Sequence, residues 1–199
     1  MEALAEIADG LARDGWAVSR RGYSEEVVAG LAAEARLLHA EGCFRPAGVG
    51  HGRRRTVRED VRRDEVLWLD SSCPTPVQAR YWEEVERIRT ELNLLLFLGL
   101  QDFESHLAAF PPGGFYRKHL DRFSEVDERA LSSVLFLNPG WRSEDGGALR
   151  LHLETGGVDV SPEAGTLVVF RSELVWHEVL PASAPRFSAT GWYRRRRVG

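Results

Sequence analysis

A chain of 199 residues with 43% apolar and 28% charged side chains fits one ordinary globular domain, long enough to bury a real core. Its formal net charge of −4, with arginines concentrated at Arg53 to Arg55, Arg62–Arg63 and Arg194 to Arg197, argues against a nucleic-acid-binding module, which would show a basic domain or a recognisable motif. With no signal peptide, no long apolar run, and Cys43 and Cys73 in no pairing motif, the expected setting is a reducing cytoplasm with no membrane contact.

The amino-terminal third reads as helices and connectors. Ala3, Leu4, Ile7, Ala8 and Leu11 recur at helical spacing, and Trp16-Ala17-Val18 is a short extended piece. Ser24 is a natural N-cap for a helix carrying Val27, Val28, Leu31, Leu37 and Leu38, with Glu25 and Glu26 in its positive first turn and Gly42 at its end. A glycine- and arginine-rich stretch, Gly42 to Arg63, lacks periodicity and precedes a strand at Glu65-Val66-Leu67-Trp68; loops this long are usually functional or disordered. Thr75-Pro76 then supplies a cap and an N1 proline for a helix through Tyr81, Val85, Ile88, Leu92 and Leu95.

From Gln101 onward the texture changes to short alternating runs divided by Gly, Pro, Asp and Ser. Strands are expected at 102–109, 114–120, 130–137, 147–153, 165–170, 176–180 and 186–195. The whole reads as mostly β with bracing helices, a double-sheet jelly roll in one domain: helical support over about residues 1–98 and a strand-built core over about 99–197.

Chemistry concentrates in His119-Leu120-Asp121 and in His177, within Val175-Trp176-His177-Glu178-Val179. On an extended strand the side chains at i and i+2 share a face, so His119 and Asp121 can grip one ion and His177 can complete the set. Two imidazoles and one carboxylate leave the opposite face of a metal open, the arrangement of non-heme Fe(II) oxygenases. Glu178, adjacent to His177, points to the other face and is excluded as a ligand. His106 and His152 fall in alternating strands as structural residues, while His39 and His51 are expected on the surface. Arg186 opens a strand whose same face carries Ser188, Thr190 and Trp192, and a buried guanidinium there demands an anion such as the carboxylate of a 2-oxo diacid.

Taken together, Tyr116 to Asp121, Leu135-Phe136-Leu137-Asn138, Gly146 to Arg150, Trp176 to Val179 and Arg186 to Tyr193 resemble the iron- and 2-oxoglutarate-dependent prolyl hydroxylases, in the branch of the hypoxia-inducible-factor prolyl hydroxylases and their bacterial relatives. The resemblance is strong over roughly residues 100–196 and weaker from Arg62. It implies His119, Asp121 and His177 as ligands of Fe(II), Arg186 as partner of the distal carboxylate of 2-oxoglutarate, and Leu149, Thr190, Ser188 and Tyr116 as neighbours of that cosubstrate. It further implies O2 as oxidant, ascorbate as a candidate reductant, a protein or peptide substrate with the translation machinery as one source, Arg62 as a substrate contact, and a lid over the substrate at about 44–62. Animal members place tyrosine hydroxyls near the cosubstrate where this chain has Phe110 and Phe136. The alternatives from other classes are a cupin-type metalloenzyme without 2-oxoglutarate and a non-catalytic jelly-roll binding module.

Overall fold

The computed structural model describes residues 2–48, 56–121 and 128–195. Among the described residues three α-helices and eleven strands follow in chain order: α1 (Glu2–Arg13), β1 (Trp16–Ser19), α2 (Glu25–Ala40), β2 (Arg45–Pro46), β3 (Glu65–Trp68), α3 (Pro76–Leu96), β4 (Leu100–Phe110), β5 (Tyr116–His119), β6 (Arg129–Phe136), β7 (Leu149–Leu153), β8 (Gly156–Val160), β9 (Leu167–Arg171), β10 (Trp176–Val179) and β11 (Arg186–Arg195). The helix ends follow from local chemistry. Ser24 caps α2 by accepting from the Val27 amide, Thr75 caps α3 by accepting from the Gln78 amide, and Pro76 occupies a position whose amide needs no helical partner. At the far end of α3, Phe97 adopts a left-handed conformation, and the Asn93 side chain both donates to and accepts from the Leu100 backbone, fastening the helix to β4.

The strands form two antiparallel sheets facing each other as a jelly roll. The major sheet runs β1-β9-β6-β11-β4-β3-β2 and the minor one β5-β10-β7-β8. Alternation along each major-sheet strand divides the interior in two. Leu131 and Leu135 of β6, Leu167 and Val169 of β9, and Phe187, Ala189 and Tyr193 of β11 face the helices and pack with Leu31, Ile88 and Leu92. Val134 and Phe136, Val168 and Phe170, Ala108 and Phe110 face the minor sheet and pack with Leu149, Leu151 and Val179. Each fully buried aliphatic or aromatic side chain contributes about 1.5–3 kcal/mol, so a strand apolar on both faces is the expected signature of a sheet covered on both sides.

Three expectations need correction. The division at about residue 98 is not a boundary, because β1 pairs with β9 and β3 pairs with β4, so the helical third contributes three strands to the major sheet. Two strands were not expected: β2, hidden in the aperiodic stretch, and β8, where paired glycines mimic a turn although Leu149 to Leu153 pair with Gly156 to Val160. The strand expected over 114–120 ends at His119, which leaves Asp121 in a bend beyond it. Among the described residues no helix is long and apolar enough to cross a membrane.

Candidate metal and cosubstrate site

Cross-strand register brings the two histidines together. His119, the last residue of β5, is the partner of His177 on β10, and their rings lie 4.2 Å apart. The Asp121 carboxylate closes the triangle, with Oδ1 3.5 Å from His119 Nε2 and Oδ2 3.6 Å from His177 Nε2. All three residues are buried, and one ligand atom from each lies within 4.8 Å of the others, a set that could hold a metal ion. The backbone fixes the tautomers. His119 Nδ1 lies 2.7 Å from the Arg117 carbonyl and His177 Nδ1 lies 3.1 Å from the Val175 carbonyl; a carbonyl only accepts, so each Nδ1 donates and each Nε2 presents its lone pair to the centre. Tyr116 stacks on His119 at 3.6 Å and Phe170 packs against His177 at 4.6 Å, each backing one imidazole ring.

Electrostatics favour the metal-ready protonation state. Burial dominates at His177 and pushes it down to about 4 against the opposing pull of Asp121, so the imidazole is neutral near pH 7. Burial by itself would raise Asp121, but the His177 and His119 rings, which attract a carboxylate once they take up protons, and the hydroxyl of Ser132 hold its carboxyl well below the usual range.

One cavity of roughly 330 Å³ connects the triad to Arg186, and its walls include Tyr116, Leu149, Ser188 and Thr190. Arg186, Ser188, Thr190 and Trp192 all line it, as the period of the strand requires. Arg186 is 1% exposed and lies 5.0 Å from the Phe110 ring and 4.9 Å from the Phe136 ring. Its Nε donates to the Gly147 carbonyl at 2.9 Å, while Nη2 is buried with no partner among the described residues. Burial lowers its pKa to about 10, opposed in part by Asp64, so the group remains a cation. An orphaned guanidinium N–H in an apolar wall costs about 1–3 kcal/mol, and an anionic ligand removes that cost. Gly147 makes the arrangement possible: it sits at φ 69°, and a Cβ there would lie 2.8 Å from Ala182 Cβ.

Arg62 is in the wall, but not as a free contact. Its guanidinium forms a paired hydrogen bond to the buried Asp64 carboxylate at 2.7 and 2.6 Å and covers the Tyr116 ring at 4.1 Å. The stretch expected as a lid is anchored at its beginning, where Phe44 and Ala47 are buried around β2; residues 49–55, with His51 and Arg53 to Arg55, lie outside the described residues, as do Arg196 and Arg197. Glu178 turns away from the triad to His152 at 2.9 Å, consistent with its exclusion. His106 packs between Trp68 and Trp192 and lines the far part of the cavity. His39, expected at the surface, is half-buried and bonded to Glu65 at 3.1 Å. Gly147 and Ser132 carried no signal of their own, because their partners Arg186 and Asp121 lie 39 and 11 residues away; Asp64 stands two residues from Arg62, and that spacing was the signal that could have found it.

A jelly roll holding a buried His-Asp-His triad and an unanswered arginine in one cavity is the architecture of a metal-dependent oxygenase that takes an anionic cosubstrate. A family model described as the 2OG-Fe(II) oxygenase superfamily matches residues 105–194. A crystal structure of a Pseudomonas putida prolyl-4-hydroxylase superposes with a TM-score of 0.88 at 45% identity, covering 98% of this chain and 100% of that one. The chain belongs to the 2OG-Fe(II) oxygenase family. Among curated relatives, the hypoxia-inducible factor prolyl hydroxylase of Caenorhabditis elegans is 28% identical over 198 residues, covering 90% of this chain and 26% of that protein. Egl nine homolog 1 of Homo sapiens is 27% identical over 170 residues, covering 80% of this chain and 39% of that protein. The chain thus spans about a quarter to two fifths of the length of these two relatives. A Trichoplax adhaerens prolyl hydroxylase, solved with a hypoxia inducible factor peptide fragment, shares the fold at a TM-score of 0.85 and 24% identity, covering 97% of this chain and 89% of that one.

Proposed function

We propose that this chain is an Fe(II)- and 2-oxoglutarate-dependent dioxygenase that hydroxylates a prolyl residue of a protein or peptide. The observation that carries the reading is the buried Arg186, which lines the cavity shared with His119, Asp121 and His177 and whose Nη2 has no partner among the described residues. A cupin-type enzyme without 2-oxoglutarate or a binding module would leave that cation unanswered.

In this reading His119 Nε2, an Asp121 oxygen and His177 Nε2 hold Fe(II), and Arg186 receives the distal carboxylate of 2-oxoglutarate in a two-pronged contact. Leu149 and Tyr116 exclude water from the cosubstrate, and the hydroxyls of Ser188 and Thr190, 3.2 Å apart, offer it hydrogen bonds in place of the tyrosines that Phe110 and Phe136 replace. With both groups bound, the chemistry supplied is oxidative decarboxylation of 2-oxoglutarate to succinate and CO2 by O2, with one oxygen atom delivered into a C–H bond. No general base is needed, which fits a sequence without a nucleophilic Ser or Cys motif. Arg62, locked to Asp64, shapes the substrate side by holding Tyr116 against His119. The choice of proline is supported by the prolyl hydroxylases the chain resembles; a target in the translation machinery, use of ascorbate and a cytoplasmic setting belong to the same proposal.

The test is incubation of the purified protein with Fe(II), 2-oxoglutarate, O2 and a proteome-derived peptide pool, read by mass spectrometry. Proline-specific gain of one oxygen atom, accompanied by succinate, is the expected result. Succinate release with the oxygen on another residue type would refute the prolyl assignment while leaving the reaction class intact.

A further inference from the structure

Behind the Asp121 carboxylate lie two hydroxyls with no part in the reaction as described. Ser132, on β6, and Ser172, just after β9, are each 0% exposed. Ser132 Oγ donates to Asp121 Oδ2 at 2.6 Å, and the same oxygen lies 2.9 Å from Ser172 Oγ. A serine hydroxyl carries one proton and an ionised carboxylate carries none. The Ser132 proton therefore points at Asp121, and Ser132 must accept from Ser172. The two hydroxyls form a chain with one direction, each bond polarising the next. On the inward face of β6, Ser132 stands in a row with Val134 and Phe136, both buried and apolar, so the hydroxyl is an exception to its surroundings.

Asp121 needs such an anchor. His119 and His177 are fixed by the β5–β10 ladder, whereas Asp121 follows the end of β5 and has no strand partner. Its two oxygens are not equivalent: Oδ2, 3.6 Å from His177 Nε2, accepts from Ser132, while Oδ1, 3.5 Å from His119 Nε2, is the oxygen that Ser132 does not hold. We infer that Ser132, backed by Ser172, is a positioning residue that ties down Oδ2 and presents Oδ1 as a single-oxygen metal ligand. A carboxylate free to turn would offer both oxygens and occupy a coordination position that the cosubstrate and oxygen require. This inference rests on the metal-site reading above.

The experiment compares wild type, Ser132→Ala, Ser132→Thr and Ser172→Ala by titration with Mn(II), followed by the electron paramagnetic resonance of the free ion, and by melting with and without Mn(II). Ser132→Ala is expected to bind Mn(II) about tenfold or more weakly. Its metal-free melting should stay close to wild type, so that the loss appears in the metal-induced shift. Ser132→Thr keeps the hydroxyl and should restore most of the affinity, and Ser172→Ala should lose affinity in the same direction by less. Wild-type affinity in Ser132→Ala overturns the inference. So does equal loss in the Ala and Thr variants, which marks a packing role. If Ser132→Ala does not fold, Ser172→Ala decides: unchanged affinity there removes the chain. A wild-type protein that binds no Mn(II) overturns the metal-site reading itself, and the two failures are distinguishable.

Discussion

Arg186 shows how much of this site rests on a single side chain. Its Nε is satisfied by the Gly147 carbonyl, its Nη2 by nothing among the described residues, and two phenylalanine rings stand beside it. Arg186→Lys keeps the charge but loses the planar fork, so affinity for 2-oxoglutarate should fall about tenfold or more while metal affinity holds. Anaerobic calorimetry checks this, and unchanged 2-oxoglutarate affinity would mean that another residue receives the carboxylate. Asp121→Ala should abolish metal binding and leave the fold, measurable by the same Mn(II) titration beside circular dichroism. Both proposals can be read from the sequence, because the i, i+2 spacing of His119 and Asp121, the histidine within the run Val175 to Val179 and the alternation from Arg186 to Trp192 are local facts. The partners that make them work cannot. That Ser132 holds Asp121 and that the Gly147 carbonyl receives Arg186 depends on chain reversals that no local pattern encodes, whereas the contacts of Val175 with His177 and of Asp64 with Arg62 span only two residues and turn on side-chain orientation.

At the scale of elements, caps and turns carry testable weight. Ser24 caps α2 and also hydrogen-bonds the Glu84 carboxylate of α3 through both its amide and its hydroxyl. Ser24→Ala should cost about 1–2 kcal/mol, seen in urea unfolding, with 2-oxoglutarate affinity unchanged. Phe97 is 90% exposed at φ 53°, so Phe97→Gly removes left-handed strain with little burial to lose; a gain of roughly 0.5–1 kcal/mol is expected, and a loss would show that the ring covers something. The helices were readable because capping residues and stripes coincide. The strands β2 and β8 were not, since a proline and paired glycines speak locally for turns and only pairing with β3 and β7 makes them strands. The same limit moved the end of β5: His119 is held by His177, and nothing pairs with Leu120 or Asp121 to extend the ladder.

For the whole molecule, the active centre is a liability that its ligands relieve. His177 has a folded value of about 4 against an ordinary 6.5, so unfolded chains bind the extra proton first. The stability of metal-free protein should therefore be full above about pH 6.5 and fall as the pH drops toward about 4; the depressed Asp121 adds its own loss only below its ordinary value of 3.8. Melting near pH 7 and near pH 4.5 should show a larger fall in wild type than in His177→Gln, and equal falls would mean that burial does not control this histidine. The jelly roll as a whole was legible, because a sheet apolar on both faces next to capped amphipathic helices admits few architectures. The joining of β1 and β3 to that sheet was not, because edge pairing is set by where the chain returns in space. The central claim is that one cavity couples metal, 2-oxoglutarate and oxygen. Succinate release from 2-oxoglutarate by the iron-loaded protein in air, without any peptide, tests it most directly. Slow release by wild type and none by Asp121→Ala is the predicted result; no release by wild type, or equal release by Asp121→Ala, would contradict it.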